Sequence, residues 1–289
     1  MIDTGLKNKV VLITGVNNPR GIGAATAKAF ATEGAAVFTT YLRLPAEVST
    51  TNVAGEAFYR AQRAKTADEV VSAIRESGGK IEAWEADLAE PAVIPQLFDQ
   101  AERTFGPVDI LINNAAHCDP DTFIPQSRLG SDSRAVDKFP MSTITAAKHD
   151  RHFAVNSRAV ALMMAEYARR HLERDASWGR IINVSTDGAS GFISEVSYGA
   201  SKHALESYSR AAADELGKCG ITVNVVSLGP VQTGWISPEL EEEAASHIPL
   251  RRVGRPEDVA DVIVFFASEQ ARWVTGQLLY VGGGHVMPL

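Results

Sequence analysis

Short runs of β-favouring residues recur along the chain, each separated from the next by a longer stretch of helical periodicity. The runs are 10–14 (VVLIT), 35–41 (AAVFTTY), 80–86, 108–113 (VDILIN), 180–185 (RIINVS), 221–227 (ITVNVVS) and 277–281 (QLLYV). They are apolar along their length and do not alternate, the pattern of strands covered on both faces in a parallel sheet. Helical patterns fill about 21–33, 66–78, 92–105, 144–174, 197–218 and 257–268. Covered strands alternating with helices leave few solutions. The expected fold is an α/β, doubly wound parallel sheet of about seven strands, with right-handed crossovers and helices on both faces.

No repeat, low-complexity tract or linker divides the chain, so residues 1–289 are read as a single domain. Two stretches exceed ordinary loop lengths, 42–65 and 117–143. Both follow the carboxyl ends of strands, where open α/β sheets bind ligands, so each is either a site-shaping insertion or a surface excursion. A net charge of -7 argues against a nucleic-acid partner. Two cysteines, Cys118 and Cys219, make no disulfide framework. The amino terminus lacks a secretory pattern, and the longest apolar runs, such as 262–267, are too short to span a bilayer. A cytoplasmic protein with no membrane partner is expected.

Immediately after the first strand comes Thr14-Gly15-Val16-Asn17-Asn18-Pro19-Arg20-Gly21-Ile22-Gly23, leading into an alanine-rich helix. Glycines let a backbone turn sharply and approach a pyrophosphate, and the helix beyond offers free N–H groups and a positive dipole end. The segment resembles the TGxxxGxG turn of short-chain dehydrogenases/reductases, although five residues and not three separate Gly15 from Gly21. The resemblance implies a Rossmann-like NAD(P)-binding domain in which Gly15, Asn17, Arg20, Gly21, Ile22 and Gly23 line the cofactor.

The second strand ends in Tyr41-Leu42-Arg43, without the acidic residue that hydrogen-bonds an NAD ribose. A 2′-phosphate meets no repulsion there, and Arg43 and Arg20 are candidates to pair with it. NADP(H) is therefore expected over NAD(H). The resemblance adds further cofactor contacts. It implies adenine contacts from Asp87 and Leu88, contacts from Asn114-Ala115-Ala116 after the fourth strand, and a nicotinamide-side turn with Gly229, Val231 and Thr233.

Tyr198 and Lys202 stand four apart at the start of a helix, one turn apart on one face. Ser185, thirteen residues upstream at the end of a strand, and Asn156 complete a set that matches the Ser–Tyr–Lys triad and fourth member of the same family. A free tyrosine titrates near pH 10, and one positive charge about 4 Å away is worth about 4 kcal/mol, roughly three pKa units. Lys202, helped by oxidised nicotinamide, is thus expected to move the Tyr198 phenol toward neutrality. The resemblance further implies that Lys202 binds the nicotinamide ribose, Asn156 holds a water, and Ser185 holds the reacting oxygen. The expected activity is hydride transfer between nicotinamide and a small-molecule carbonyl or secondary alcohol, with a 3-oxoacyl thioester among the candidates.

An enoyl reductase and a non-catalytic dinucleotide sensor are the alternatives. The first spaces tyrosine and lysine more widely, and Glu195 or Val196 stands where its tyrosine would be; the second commonly loses one of the pair, and this chain keeps both. His149 and His152 lack a third ligand, so no metal is expected. The segment 232–250, with its acidic run Glu239–Glu243, covers substrates in relatives, and the resemblance implies a homotetramer built on the helices near 144–174 and 197–218.

Overall fold

Burial accounts for the missing alternation in the strand runs. The computed structural model describes residues 3–45, 51–130, 133–135 and 137–287. Seven parallel strands form one sheet: β1 (Val10–Thr14), β2 (Ala36–Tyr41), β3 (Lys80–Glu85), β4 (Ile110–Asn113), β5 (Gly179–Thr186), β6 (Ile221–Leu228) and β7 (Leu278–Val281). Their order is β3-β2-β1-β4-β5-β6-β7. Along β1, Val11 and Ile13 point into one core with Ala27 and Phe30 of α1 (Ile22–Thr32), while Val10 and Leu12 point into the other. Burying each such side chain is worth about 1.5–3 kcal/mol, so both faces must be apolar.

The first core also takes in α3 (Asp68–Glu76) and α9 (Pro256–Ala267). The second is closed by α4 (Val93–Phe105), α6 (Ala159–Glu173) and α7 (Val196–Leu216). Strand order reverses between β1 and β4, and the connections leaving their carboxyl ends part there to open a crevice.

Three departures from the sequence reading bear on function. The insertion 42–65 contains a helix, α2 (Glu56–Arg63), that periodicity did not single out; its residues 46–50 lie outside the described ones. The long helix read at 144–174 is interrupted: α5 (Ala146–Phe153) and α6 flank a π turn, Ala154–Arg158, that carries Asn156. A π turn widens the helix by one residue and commonly marks a site. Within 117–143, of which 131, 132 and 136 lie outside the described residues, two-residue strands Asp121–Thr122 and Ser142–Thr143 pair in parallel. Segment 232–250 holds α8 (Pro238–His247), capped by Ser237, whose hydroxyl accepts from Leu240 N–H at 3.3 Å. Among the described residues, no helix is long and apolar enough to cross a membrane.

Candidate active site

A cleft of about 1090 Å³ opens at the carboxyl ends of the strands, lined at one end by the glycine turn and at the other by Tyr198, Lys202 and α8. Gly15 adopts φ +79°, and a Cβ there would meet Ala115 Cα at 2.9 Å. Gly21 precedes α1 with no side-chain cap, and the first turn carries no acid. The leading N–H groups of that helix are therefore open to an anion. The two extra residues of the turn have structural work. Asn17 Nδ2 donates to the carbonyls of Arg63 (3.2 Å) and Lys65 (3.0 Å), and Asn18 Nδ2 donates to Thr233 O at 2.9 Å. The longer turn ties the phosphate loop to α2 and to the 231–235 segment. A backbone cradle beneath an uncapped helix start, in a cleft this large, fits a dinucleotide.

At the far end, β2 finishes at Tyr41-Leu42 as read, but the two arginines are not poised as expected. Arg43 is paired with Glu85 of β3 (Nε to Oε1, 2.9 Å), and its side chain lies in a small side groove. Arg20 lies over the Phe58 ring at 4.5 Å, outside the cleft lining. Both corrections arise from residues distant in sequence, a carboxylate on β3 and an aromatic on α2. Asp87 and Leu88 do line the cleft, with the Asp87 carboxylate held by both terminal nitrogens of Arg151 at 3.1 Å. Asn114 Nδ2 donates to the carbonyls of Thr14 (2.8 Å) and Gly15 (3.0 Å), so this side chain shapes the glycine turn while Ala115 and Ala116 face the cleft. Asn113 Nδ2 donates to Asn183 Oδ1 at 2.7 Å, stitching β4 to β5.

Ser185, Tyr198 and Lys202 all line the cleft. Lys202 Nζ donates to Val184 O at 2.7 Å and lies 5.9 Å from the centre of the Tyr198 ring. Burial pushes Lys202 down to about 8. Burial also pushes the Tyr198 phenol up, with Cys118 and Glu195 adding to the rise. The lysine by itself does not draw the phenol toward neutrality. Desolvation of the half-buried ring's phenolate is the largest cause of the rise.

The other two members are also engaged. Asn156 Nδ2 donates to His117 O (2.8 Å) and to Ser201 Oγ (2.9 Å), and its Oδ1 accepts from His117 N–H at 2.8 Å. It pins the segment after β4 to the π turn and to α7, and it is fully buried. Ser185 Oγ donates to the buried Glu206 carboxylate of α7 at 2.6 Å. Strand alternation sends Asn183 the same way, its Nδ2 donating to Ser209 Oγ at 2.8 Å. Thr186, one position on, lines the cleft and was not selected by spacing.

Comparison with known proteins agrees with this geometry. A profile described as enoyl-(acyl carrier protein) reductase matches residues 52–285. The NADPH-dependent aldehyde reductase 2 of Arabidopsis thaliana is 33% identical, over 96% of this chain and 94% of the relative. Versicolorin reductase of Emericella nidulans is 32% identical, over 96% of each. A blue fluorescent protein from a metagenomic library, solved in complex with NADPH, superposes with a TM-score of 0.75 at 29% identity, covering 98% of this chain and 99% of that one. The chain is a short-chain dehydrogenase/reductase.

In this short-chain dehydrogenase/reductase the end of the cleft beside Tyr198 was the least legible part of the sequence. The chamber beside Tyr198 draws Tyr59 from α2; His117, Cys118 and Asp137 from the second insertion; and Glu195 from before α7. Cys118 Sγ donates to Glu195 Oε2 at 3.3 Å, and burial pushes this thiol up, so it is no thiolate. His117 is pushed down to about 4 by burial, with His152 adding. Gly229, Val231 and Thr233 also line the cleft, and a Cβ at Gly229 would meet Gly282 Cα at 2.8 Å. Among the described residues no cluster of metal-ligating side chains occurs.

Glu195 makes stability depend on pH. Burial, with Asp137 adding, lifts its carboxyl from 4.5 to about 7. The folded chain then holds this proton more tightly than the unfolded one. Its stabilising contribution is complete below pH 4.5 and is lost as pH rises through 7. Glu195→Gln is expected to melt progressively higher than the parent between pH 5 and pH 8. A gap in melting temperature that does not widen with pH would contradict this account.

Proposed function

We propose that this short-chain dehydrogenase/reductase is an NADP(H)-dependent reductase of small-molecule carbonyls, running in reverse as an alcohol dehydrogenase. The observation that carries the reading is the half-buried Tyr198 lining the end of a dinucleotide-sized cleft with Lys202, whose ammonium lies 5.9 Å from its ring centre; burial raises the phenol, which favours its protonated form. A protonated phenol is the form that donates to a carbonyl oxygen. Bound NADPH supplies the hydride to the carbonyl carbon. Lys202, still mainly cationic at neutral pH, stabilises the phenolate left by proton donation. Its position also suits the family role of holding the nicotinamide ribose. The Asn156 side chain acts by fixing the His117 backbone, and any water relay would use main-chain groups of the π turn.

A second hydroxyl holds the reacting oxygen. Ser185 reaches it only by releasing Glu206, whereas Thr186 already sits at the strand's end in the cleft. Thr186→Val is therefore expected to lower kcat by about 10²-fold. Ser185→Ala is expected to cost mainly stability, about 1–3 kcal/mol, by leaving a buried carboxylate short of a donor. Steady-state rates and denaturant melts of both variants separate the roles; the reverse pattern would restore Ser185 as the oxygen-holding group.

Preference for NADP(H) is supported by the absence of an acid at Tyr41-Leu42, by a relative named as NADPH-dependent, and by a solved neighbour holding NADPH. Arg43 contributes by neutralising Glu85 near the end of β2. The chamber joins a polar floor at Glu195, Asp137 and Tyr59 to an apolar wall at Phe192, Trp235 and Leu240. That lining suits a compact or aromatic carbonyl bearing hydroxyl groups better than a bare acyl chain. NADPH oxidation is expected with aryl and hydroxylated ketones or aldehydes, with less on 3-oxoacyl thioesters and none on enoyl thioesters. Turnover of enoyl thioesters alone would make this an enoyl reductase, and firm NADPH binding without turnover on any of the panel would make it a sensor. A homotetramer is supported by Leu162, Leu172 and Tyr208, left exposed on α6 and α7.

A further inference from the structure

The cleft has a roof as well as a floor. The α2 helix is tied to the phosphate loop through Asn17, and Leu44 N–H donates to Arg63 O at 3.0 Å. It is tied to the 231–235 segment through Gly55 N–H, which donates to Gly234 O at 2.9 Å; a Cβ at Gly234 would meet the Phe58 ring at 2.7 Å. It is tied to the second insertion by Tyr59, 6.5 Å from Phe139 ring to ring. These ties hold the last turn of α2 over the cleft, where Arg63 is one of the lining residues.

Three arginines line the cleft: Arg60, Arg63 and Arg151. Arg60 is paired with Glu56 at 2.8 Å and Arg151 with Asp87 at 3.1 Å. Among the described residues, Arg63 has no carboxylate within ion-pair distance. Its guanidinium lies 5.5 Å from the centre of the Tyr59 ring, and its field lowers the thiol of Cys118 and the imidazole of His117. The charge therefore stands between the phosphate loop and the chamber. A dinucleotide laid on the glycine turn would carry its phosphates near this charge, with the uncapped start of helix α1 beneath them.

We propose that Arg63 clamps the cofactor's pyrophosphate from the roof of the cleft, so that the insertion supplies a phosphate contact the glycine turn lacks. This rests on the dinucleotide reading of the site and goes beyond it. The guanidinium offers paired N–H donors to phosphate oxygens, and its backbone carbonyl is already positioned by Asn17. The five-residue spacing of the glycine turn and the extended insertion thereby belong to one device: the longer turn carries the asparagine that holds the clamp.

Equilibrium binding of NADPH and of NADH to the full chain, followed by tryptophan fluorescence or calorimetry, tests the assignment without turnover. Arg63→Ala is expected to weaken both dinucleotides by about tenfold to hundredfold, the value of a charge-assisted contact, while leaving the unliganded melting temperature in place. Arg63→Lys should recover part of the affinity, and Arg60→Ala should change it little. Weakening of NADPH alone would place Arg63 on the 2′-phosphate and overturn the pyrophosphate assignment. Unchanged affinity for both would overturn it too, leaving a cation that serves substrate. A parent chain that binds neither dinucleotide would instead remove the cofactor reading beneath it.

Discussion

Tyr198→Phe is expected to lower kcat for carbonyl reduction by about 10²–10⁴-fold, the usual worth of a positioned general acid. The ring is packed 6.1 Å from Phe192 and the residue lies within α7, so removing one oxygen leaves the packing in place. Lys202 keeps its bond to Val184 O, and the glycine turn is untouched, so NADPH affinity should stay within about threefold, a difference below 1 kcal/mol. Parallel measurement of NADPH oxidation and NADPH binding decides the matter. Substantial turnover with intact binding would show that the proton comes from elsewhere, and Glu195, titrating near 7, would be the next donor to examine.

Gly23→Ala is the second large effect. A Cβ at this position would stand 2.2 Å from Gly15 O and 2.8 Å from Asn114 Nδ2, the amide that itself holds the turn. The first is backbone, and the second is pinned by its bonds to Thr14 O and Gly15 O. The turn must open, at a cost of about 3 kcal/mol in stability, and the cradle for the phosphates opens with it. Melting should fall by roughly 6–12 °C, and NADPH affinity by more than about 100-fold. Gly217→Ala provides the control, since a Cβ there meets nothing within 4 Å and the residue is already helical. A Gly23→Ala chain that melts and binds like the parent would mean that the turn relaxes freely, and that its glycine is not what admits the phosphates.

Much of the fold was legible because it rests on periodicity. The apolar strand runs reappear as the seven sheet strands, and α1, α4, α7 and α9 begin and end close to their patterns. What periodicity missed lies in the insertions and in one turn of the helix read at 144–174. Helix α2 is stabilised by partners on the phosphate loop and at Gly234, not by a long amphipathic pattern of its own. The π turn at Asn156, also missed, is bonded to His117, thirty-nine residues away.

The candidate site divides along the same line. Residue type and spacing, with the family resemblance they carry, pointed to Tyr198, Lys202 and the glycine turn, which line one cleft; a four-residue helical step and a strand–turn–helix junction are local geometry. Where Arg43, Arg20 and Ser185 point their polar groups was beyond that reach. Each is settled by a partner brought close only on folding: Glu85, Phe58 and Glu206. The ionisation of the phenol was beyond it too, since desolvation depends on everything that encloses Tyr198 and not on the lysine four residues along.

Taken by itself, then, the order of residues determined a parallel α/β sheet, a nucleotide-binding turn and a tyrosine–lysine pair, all of which follow from short-range backbone geometry and apolar patterning. Only the tertiary structure decided which cation faces the cleft, which hydroxyls are free, and which acids hold their protons. Those properties are sums over neighbours from distant segments, and electrostatics and burial exist only once those neighbours have met.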